Sequence, residues 1–273
     1  MRRVEQLLAD LKLHTVCEGA HCPNIGQCFR AGTATFIIMG DVCTRNCTFC
    51  AVSKGIPLPL DDDEPQRIAE AGRQLGLNYV VITCVTRDDL PDGGAAHFAK
   101  TVRILHTTIP KLRVEVLVSD FNGNKESIKT AVEASPEVFA HNLETVPRLY
   151  PFIRHMACYQ RSLDVLRTAK ELNPNMVTKS GLMLGLGEKQ NEVIDAMHDL
   201  RQAGCELLAL GQYLAPSQAH HPVVDFITPE KFAEYEKIGL DEGFKGIASA
   251  PLVRSSFRAA ELFDSAINNR VIS

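Results

Sequence analysis

Six of the nine cysteines fall between Cys17 and Cys50, in two trios. Cys43, Cys47 and Cys50 form C-x3-C-x2-C directly after the apolar run ATFIIM. A closed structural zinc site wants four ligands, usually from two separated pairs, and this loop offers three. In a four-iron cubane each ligand holds one iron, so three thiolates leave one iron open to a small molecule. Cys17, Cys22 and Cys28 form C-x4-C-x5-C within CEGAHCPNIGQC, where Gly19, Pro23 and Gly26 favour a turning loop. By spacing alone this second trio suits a cluster, a zinc ion or buried thiols. Cys84, Cys158 and Cys205 stand apart, and Cys205 opens an apolar strand and reads as core. An odd cysteine total, local crowding and no secretory signal fit metal ligation in a reducing compartment better than a disulfide framework.

Other residues could hold a ligand. Gly181, Gly185 and Glu188 lie in GLMLGLGE, which is either a strand entering a Gly-rich turn or a binding loop. It is no phosphate loop, since no Gly-Lys-Ser/Thr follows and Gln190 occupies the third glycine position of a dinucleotide motif. Asn142 and Glu144 at the end of FAHN, Thr83 at the end of YVVIT, and Lys179 on a later strand are polar groups at strand ends or in a strand interior. Arg87, Asp88 and Asp89 suit a structural ion network as well as a site. His220 and His221, being adjacent, project differently and make a poor metal pair. Arg254-Ser255-Ser256 near the chain end would ordinarily be a turn or a helix cap.

The elements that must position these residues alternate. Apolar runs at 35–39, 79–83, 113–118, 138–142, 176–184, 205–211 and 246–249 predict strands. Between them, helical periodicity marks 65–76, 95–107, 124–134, 161–172, 189–203 and 229–242, and Val4, Leu7, Leu8 and Leu11 mark a short amphipathic helix at the start. Asp61 to Glu64 ahead of Pro65, and Thr228-Pro229-Glu230, read as helix starts. Repeated strand and helix units predict an α/β fold, a partial TIM-type (β/α) barrel of about six or seven parallel strands. In such a barrel catalytic groups follow the strands, and the polar segments GDVCTRNCTFC, CVTRDDLPDGG, SDFNG, LETVPRLY, GLGE, QYLAPSQAHHP and SAPLVRSS all do. No Pro, Gly or Ser linker divides residues 1–273, which read as one domain with a cysteine-rich extension over 1–34 and a serine-bearing segment near the C-terminus.

Composition narrows the class further. The 273 residues are 45% hydrophobic and 23% charged, which is globular and neither disordered nor fibrous. A net charge of -4 gives no bulk attraction for nucleic acid. No apolar run reaches the roughly 18 to 20 residues of a membrane-spanning helix. MRRVEQLLADLKL lacks a continuous apolar stretch, and Glu5 and Asp10 argue against an organelle presequence, so the expectation is a cytoplasmic protein.

With Phe49 as the aromatic, C-x3-C-x-aromatic-C after the first strand of an apparent barrel resembles the signature of radical S-adenosylmethionine enzymes. The second trio shortly before it narrows the resemblance to the lipoyl synthase family, and the likeness continues through EPQRIAEA, YVVIT, TRDDLPDGGAAHF, FAHNLETVPRLY, TKSGLMLGLGE, LGQYLAPS and PLVRSSF. That resemblance implies two 4Fe-4S clusters. One, on Cys43, Cys47 and Cys50, chelates S-adenosylmethionine and cleaves it to a 5'-deoxyadenosyl radical. The other is an auxiliary cluster on Cys17, Cys22, Cys28 and, from the RSS motif, Ser256. Serine is a harder donor than thiolate, and a cluster held by it suits a sacrificial sulfur source.

The family reaction inserts sulfur at carbons 6 and 8 of an octanoyl chain linked to a carrier lysine, consuming two S-adenosylmethionine molecules. Those methylenes have no acidifying group, so only radical hydrogen abstraction activates them, and the protein supplies placement. The implied partners are octanoylated lipoyl carrier domains of 2-oxoacid dehydrogenases or the glycine cleavage H protein, and a ferredoxin or flavodoxin-type electron donor. For S-adenosylmethionine the resemblance gives Gly181 and Gly185 to the adenine. By their places at strand ends Asn142 and Glu144 suit the ribose and Thr83 the methionine end, or else simply cap their strands, and Lys179 suits an interior carboxylate or a structural pair. The chain departs from the family pattern at Gly19, Phe29, Cys84, Thr86, 155–158, Ala250 and Phe257, around the expected mouth. Every candidate iron ligand is retained.

Overall fold

The computed structural model describes residues 2–16 and 24–272, so the candidate ligands Cys17 and Cys22 lie outside the described residues. The chain forms two compact units, Met1–Arg45 with Val52–Phe139, and Asn46–Ala51 with Ala140–Ser273.

The first unit opens with α1 (Arg2–Asp10), β1 (His14–Thr15), α2 (Ile25–Arg30) carrying Cys28, and β2 (Thr33–Ile38). After the short pair β3 (Val42–Cys43) and β4 (Ser53–Lys54) come α3 (Glu64–Leu75), β5 (Tyr79–Cys84), α4 (Ala95–Thr108), β6 (Arg113–Leu117), α5 (Lys125–Glu133) and β7 (Val138–Ala140). β1 pairs antiparallel with β2, whereas β2, β5 and β6 are parallel, in the register Ala34 to Val80 and Val80 to Val114. Strands covered on both faces read as continuous apolar runs, and Tyr79 to Ile82 are fully buried. Helix starts and stops follow local chemistry. Pro65 begins α3, and Gly76 ends it in a left-handed turn at φ 62. Asn124 caps α5 by accepting the N–H groups of Glu126 and Ser127.

The second unit contains α6 (Tyr150–Ile153), α7 (Tyr159–Leu172), β8 (Val177–Leu184), α8 (Gln190–Gln202), β9 (Leu207–Gln212), α9 (Pro229–Asp241), β10 (Gly246–Ser249) and α10 (Ala259–Ile272). β8, β9 and β10 are parallel, with Gly181 opposite Ala209 and Ala209 opposite Ala248. Their core is an aliphatic cluster including Leu143, Leu166, Leu182, Leu208, Leu210 and Phe232. Thr228 caps α9 by accepting from Lys231 N–H, as its sequence suggests.

All seven strands expected from the apolar runs form, with shifted ends. β7 stops at Ala140 rather than Asn142, because the next N–H groups leave its line: His141 bonds to Lys179 O and Glu144 to Gly181 O. β9 begins at Leu207, leaving Cys205 buried just ahead of it. The acidic run does start a helix, yet Asp63 makes no side-chain cap bond, and Glu64 turns inward to accept from Met39 N–H at 2.9 Å and to meet His97 Nε2 at 2.7 Å. Among the described residues no helix is long and apolar enough to cross a membrane.

Candidate functional site

The first unit carries Cys43. Leaving β2, the chain reverses through Met39 and Gly40, both left-handed at φ 69 and 93. That turn is clamped: Glu64 accepts the Met39 N–H, and Arg87 Nη1 donates to the Met39 carbonyl at 3.2 Å. Gly94 makes room for the Met39 side chain, since a Cβ there would meet Met39 Sδ at 2.1 Å. Cys43 Sγ accepts peptide N–H groups from Arg45 at 3.4 Å and Thr86 at 3.3 Å. Thr44 reinforces this contact, its N–H bonding to Thr86 O and its hydroxyl accepting from Asp88 N–H.

Arg45 lies two residues past Cys43 and reaches Asp88 through two bonds of 2.7 and 2.8 Å, Asp120 at 2.7 Å and Asn122 at 2.8 Å. Burial alone would lower its pKa, but the bonds to Asp88 and Asp120 win and push it up, so the guanidinium stays charged. Arg87 pairs with Asp89 at 2.8 Å. The Arg87-Asp88-Asp89 run is therefore an ion network bound to the strand exit and the cysteine loop. Thr83 Oγ1 donates to Leu117 O at 3.0 Å. Burial pushes the Cys84 thiol up to about 12, which keeps it neutral.

The second unit holds the rest of the loop. Cys50 N–H bonds to Cys47 O, Thr48 N–H to Ile153 O, and His221 N–H to Thr48 O. Phe49, the motif's aromatic, packs against the aliphatic core and ties the loop to it. In the same unit Glu144 adopts a left-handed φ of 68, and its backbone pairs with Gly181 and Met183. Asn142 lies against Gly181, where a Cβ would come to 3.0 Å from Asn142 Oδ1, so the absence of a side chain there favours this close approach. Asn142 Oδ1 accepts from Ser255 Oγ at 3.0 Å.

Arg154 is buried beside this group and donates from Nη1 to Asn142 O, Leu143 O and Tyr150 Oη. Burial raises the Glu144 carboxyl pKa, opposed by the Arg154 charge and a bond with Asn142. Gly185, at φ 96, would place a Cβ 2.3 Å from Asp225 O, and Glu188 accepts the N–H groups of Gly185 and Leu186 at 2.6 and 2.9 Å. Lys179 is fully buried on β8, two residues before Gly181.

Cys43, Cys47 and Cys50 are half-buried. Three such thiols on one loop, with N–H groups aimed at one sulfur, suit a cluster whose properties depend on bonds to its sulfurs. Cubane ligands sit on separate irons and need not meet at a point. Among the described residues no three His, Cys, Asp or Glu side chains gather to hold a single ion. The Arg154 Nε is buried without a hydrogen-bond partner, beside Asn142 and Glu144, which fits a site that a polar ligand completes. Asn142, Glu144, Gly181 and Ser255 are thus brought together, while Thr83 lies in the first unit. Ser255 rather than Ser256 makes the recorded bond. Arg45, Asp120, Asn122 and Arg154 were not singled out by spacing. Only the placement of Arg45 between two motif cysteines, and of SDFNG after a strand, pointed towards the first three.

Residues 37–200 match the Radical SAM superfamily. The chain is 58% identical to a lipoyl synthase of Caldanaerobacter subterraneus subsp. tengcongensis, over 95% of this chain and 91% of that protein. It is 56% identical to a lipoyl synthase of Caldicellulosiruptor bescii, over 98% and 92% of the two chains. Among solved structures it resembles methylornithine synthase, with a TM-score of 0.60 at 14% identity over 88% of this chain and 73% of that one. A maturase of the FeFe-hydrogenase gives 0.61 at 14% identity, over 90% and 65%. At that identity the likeness bears on fold, and it supports the partial α/β barrel.

Proposed function

The chain belongs to the lipoyl synthase family of radical S-adenosylmethionine sulfurtransferases, iron–sulfur enzymes acting on lipoyl carrier proteins, and we propose that it inserts two sulfur atoms, at carbons 6 and 8 of a carrier-bound octanoyl-lysine. When bound, a cluster on Cys43, Cys47 and Cys50 would supply the electron that cleaves S-adenosylmethionine, once per sulfur, and a second on Cys17, Cys22, Cys28 and Ser256 would supply the sulfur. Asn142 and Glu144 hold the ribose hydroxyls. The Arg154 charge favours the ionised form of the buried Glu144 carboxyl, against the burial that opposes it, and the Arg154 Nε–H is offered to the ligand. Gly181, which lets Asn142 approach, and Gly185, which lets Asp225 O and Gln212 approach, support the adenine through the backbone they shape, Thr83 meets the methionine end, and Lys179 serves an interior carboxylate.

The observation that carries this reading is the Ser255 to Asn142 bond, which joins the C-terminal RSS motif to the strand-end polar pair within one unit. Ser256, the ligand candidate, is the next residue along the chain. The test is anaerobic reconstitution followed by incubation with an octanoylated carrier domain, reductant and S-adenosylmethionine. Iron near eight per chain, about one four-iron unit per ligand set, and a carrier heavier by two sulfurs are expected. A colourless, sulfide-free protein holding zinc would contradict the reading. The electron donor is taken to be a ferredoxin or flavodoxin, and the carrier a 2-oxoacid dehydrogenase domain or the glycine cleavage H protein.

A further inference from the structure

We propose that Arg45 is a positioning residue that fixes the peptide donors on Cys43 and so raises the reduction potential of the cluster on that loop. The assignment rests on the function proposed above for its cluster arm, and on the polypeptide alone for its positioning arm.

Cys43 Sγ receives two N–H groups, one from Arg45 and one from Thr86. Each belongs to a segment that the Arg45 side chain holds. Its own peptide is fixed because the guanidinium is anchored at four points, and the Thr86 peptide is fixed because Asp88, two residues on, takes both prongs of the fork. Asp120 and Asn122 anchor the opposite side, Asp120 with a fully buried side chain. Asp120 Oδ1 in turn accepts the Asn122 N–H, and Asn122 Nδ2 donates to Asp88, so the three partners brace one another. A planar fork that satisfies two carboxylates and an amide at once cannot be replaced by a point charge, so lysine is not equivalent here.

Hydrogen bonds to a ligand sulfur stabilise the extra negative charge of a reduced cluster. Losing them makes reduction harder. Arg45 touches neither substrate nor cluster in this scheme and acts through two backbone amides.

Arg45→Lys and Asp88→Asn decide the matter in the full chain. In Asp88→Asn the buried Arg45 keeps Asp120 as its charged partner, so the change leaves no buried charge stranded. Two measurements are made: hydrogen exchange of the Arg45 and Thr86 amides in cluster-free protein, and an EPR-monitored redox titration of reconstituted protein with iron counted per chain. The expected result is at least tenfold faster exchange at both amides in both variants, unchanged iron, and a more negative midpoint potential for the cysteine-loop cluster. Wild-type exchange rates together with a wild-type potential in both variants would overturn the proposal. So would loss of the cluster from both, which would make Arg45 a residue of assembly. If the wild-type chain takes up no cluster, the proposed function fails, and the exchange rates still decide whether Arg45 positions the amides.

Discussion

Cys43 and Cys28 sit in different trios, and replacing each thiol by a hydroxyl separates two chemistries. Cys43→Ser is expected to abolish 5'-deoxyadenosine formation. Cys28→Ser is expected to keep it, lose sulfur insertion and hold about half the iron, as one four-iron set is removed. Liquid chromatography of the nucleoside beside carrier mass spectrometry reads both, and sulfurised carrier from Cys28→Ser would contradict the assignment. Glu144→Gln keeps the shape but loses a charged acceptor, so S-adenosylmethionine affinity is expected to fall on the order of tenfold, the worth of one charge-assisted bond; isothermal titration reads it. The cysteines were legible because metal chemistry fixes both residue type and spacing. Arg154 was not, since its partners Asn142 and Tyr150 meet it only once Asn142 has left the strand.

At the level of elements, the loop after β8 leaves no room for a methyl group. Gly185→Ala combines φ 96 with a Cβ 2.3 Å from Asp225 O, and two such strains are expected to lower stability by about 2 to 4 kcal/mol, measured by urea unfolding. At the start of α8, Glu192 accepts Lys189 N–H at 2.7 Å and both bonds from Arg148, which hold its carboxyl down at about 2. A depressed carboxyl stabilises above its unfolded pKa. That contribution is therefore present near neutrality and fades as pH falls from about 4.5, the ordinary Glu range, towards 2. The pair is solvent-exposed, so the step is small and shrinks with salt. Arg148→Gln is expected to flatten it, seen as a smaller acid-side loss of melting temperature than in wild type.

Seven strands and six of the longer helices were readable because buried parallel strands are continuous apolar runs and their helices are periodic. The exits were less readable. Glu64 looked like a cap residue, yet its carboxylate serves Met39 and His97, a choice set by contacts far along the chain. The short helix α6 and the two-residue strands β3 and β4 leave no periodic signal at all.

For the molecule as a whole, family membership rests on near-complete alignment with lipoyl synthases, while the claim that one cluster is consumed rests on the second cysteine trio and the RSS motif. The most direct test uses protein reconstituted with heavy-isotope sulfide, gel-filtered, and turned over once in a solution containing only sulfide of natural abundance. The account predicts that both sulfurs of the new lipoyl group are heavy and that the protein loses cluster iron in step with product. A product carrying natural-abundance sulfur, or sulfur insertion with the full iron content retained, would contradict it.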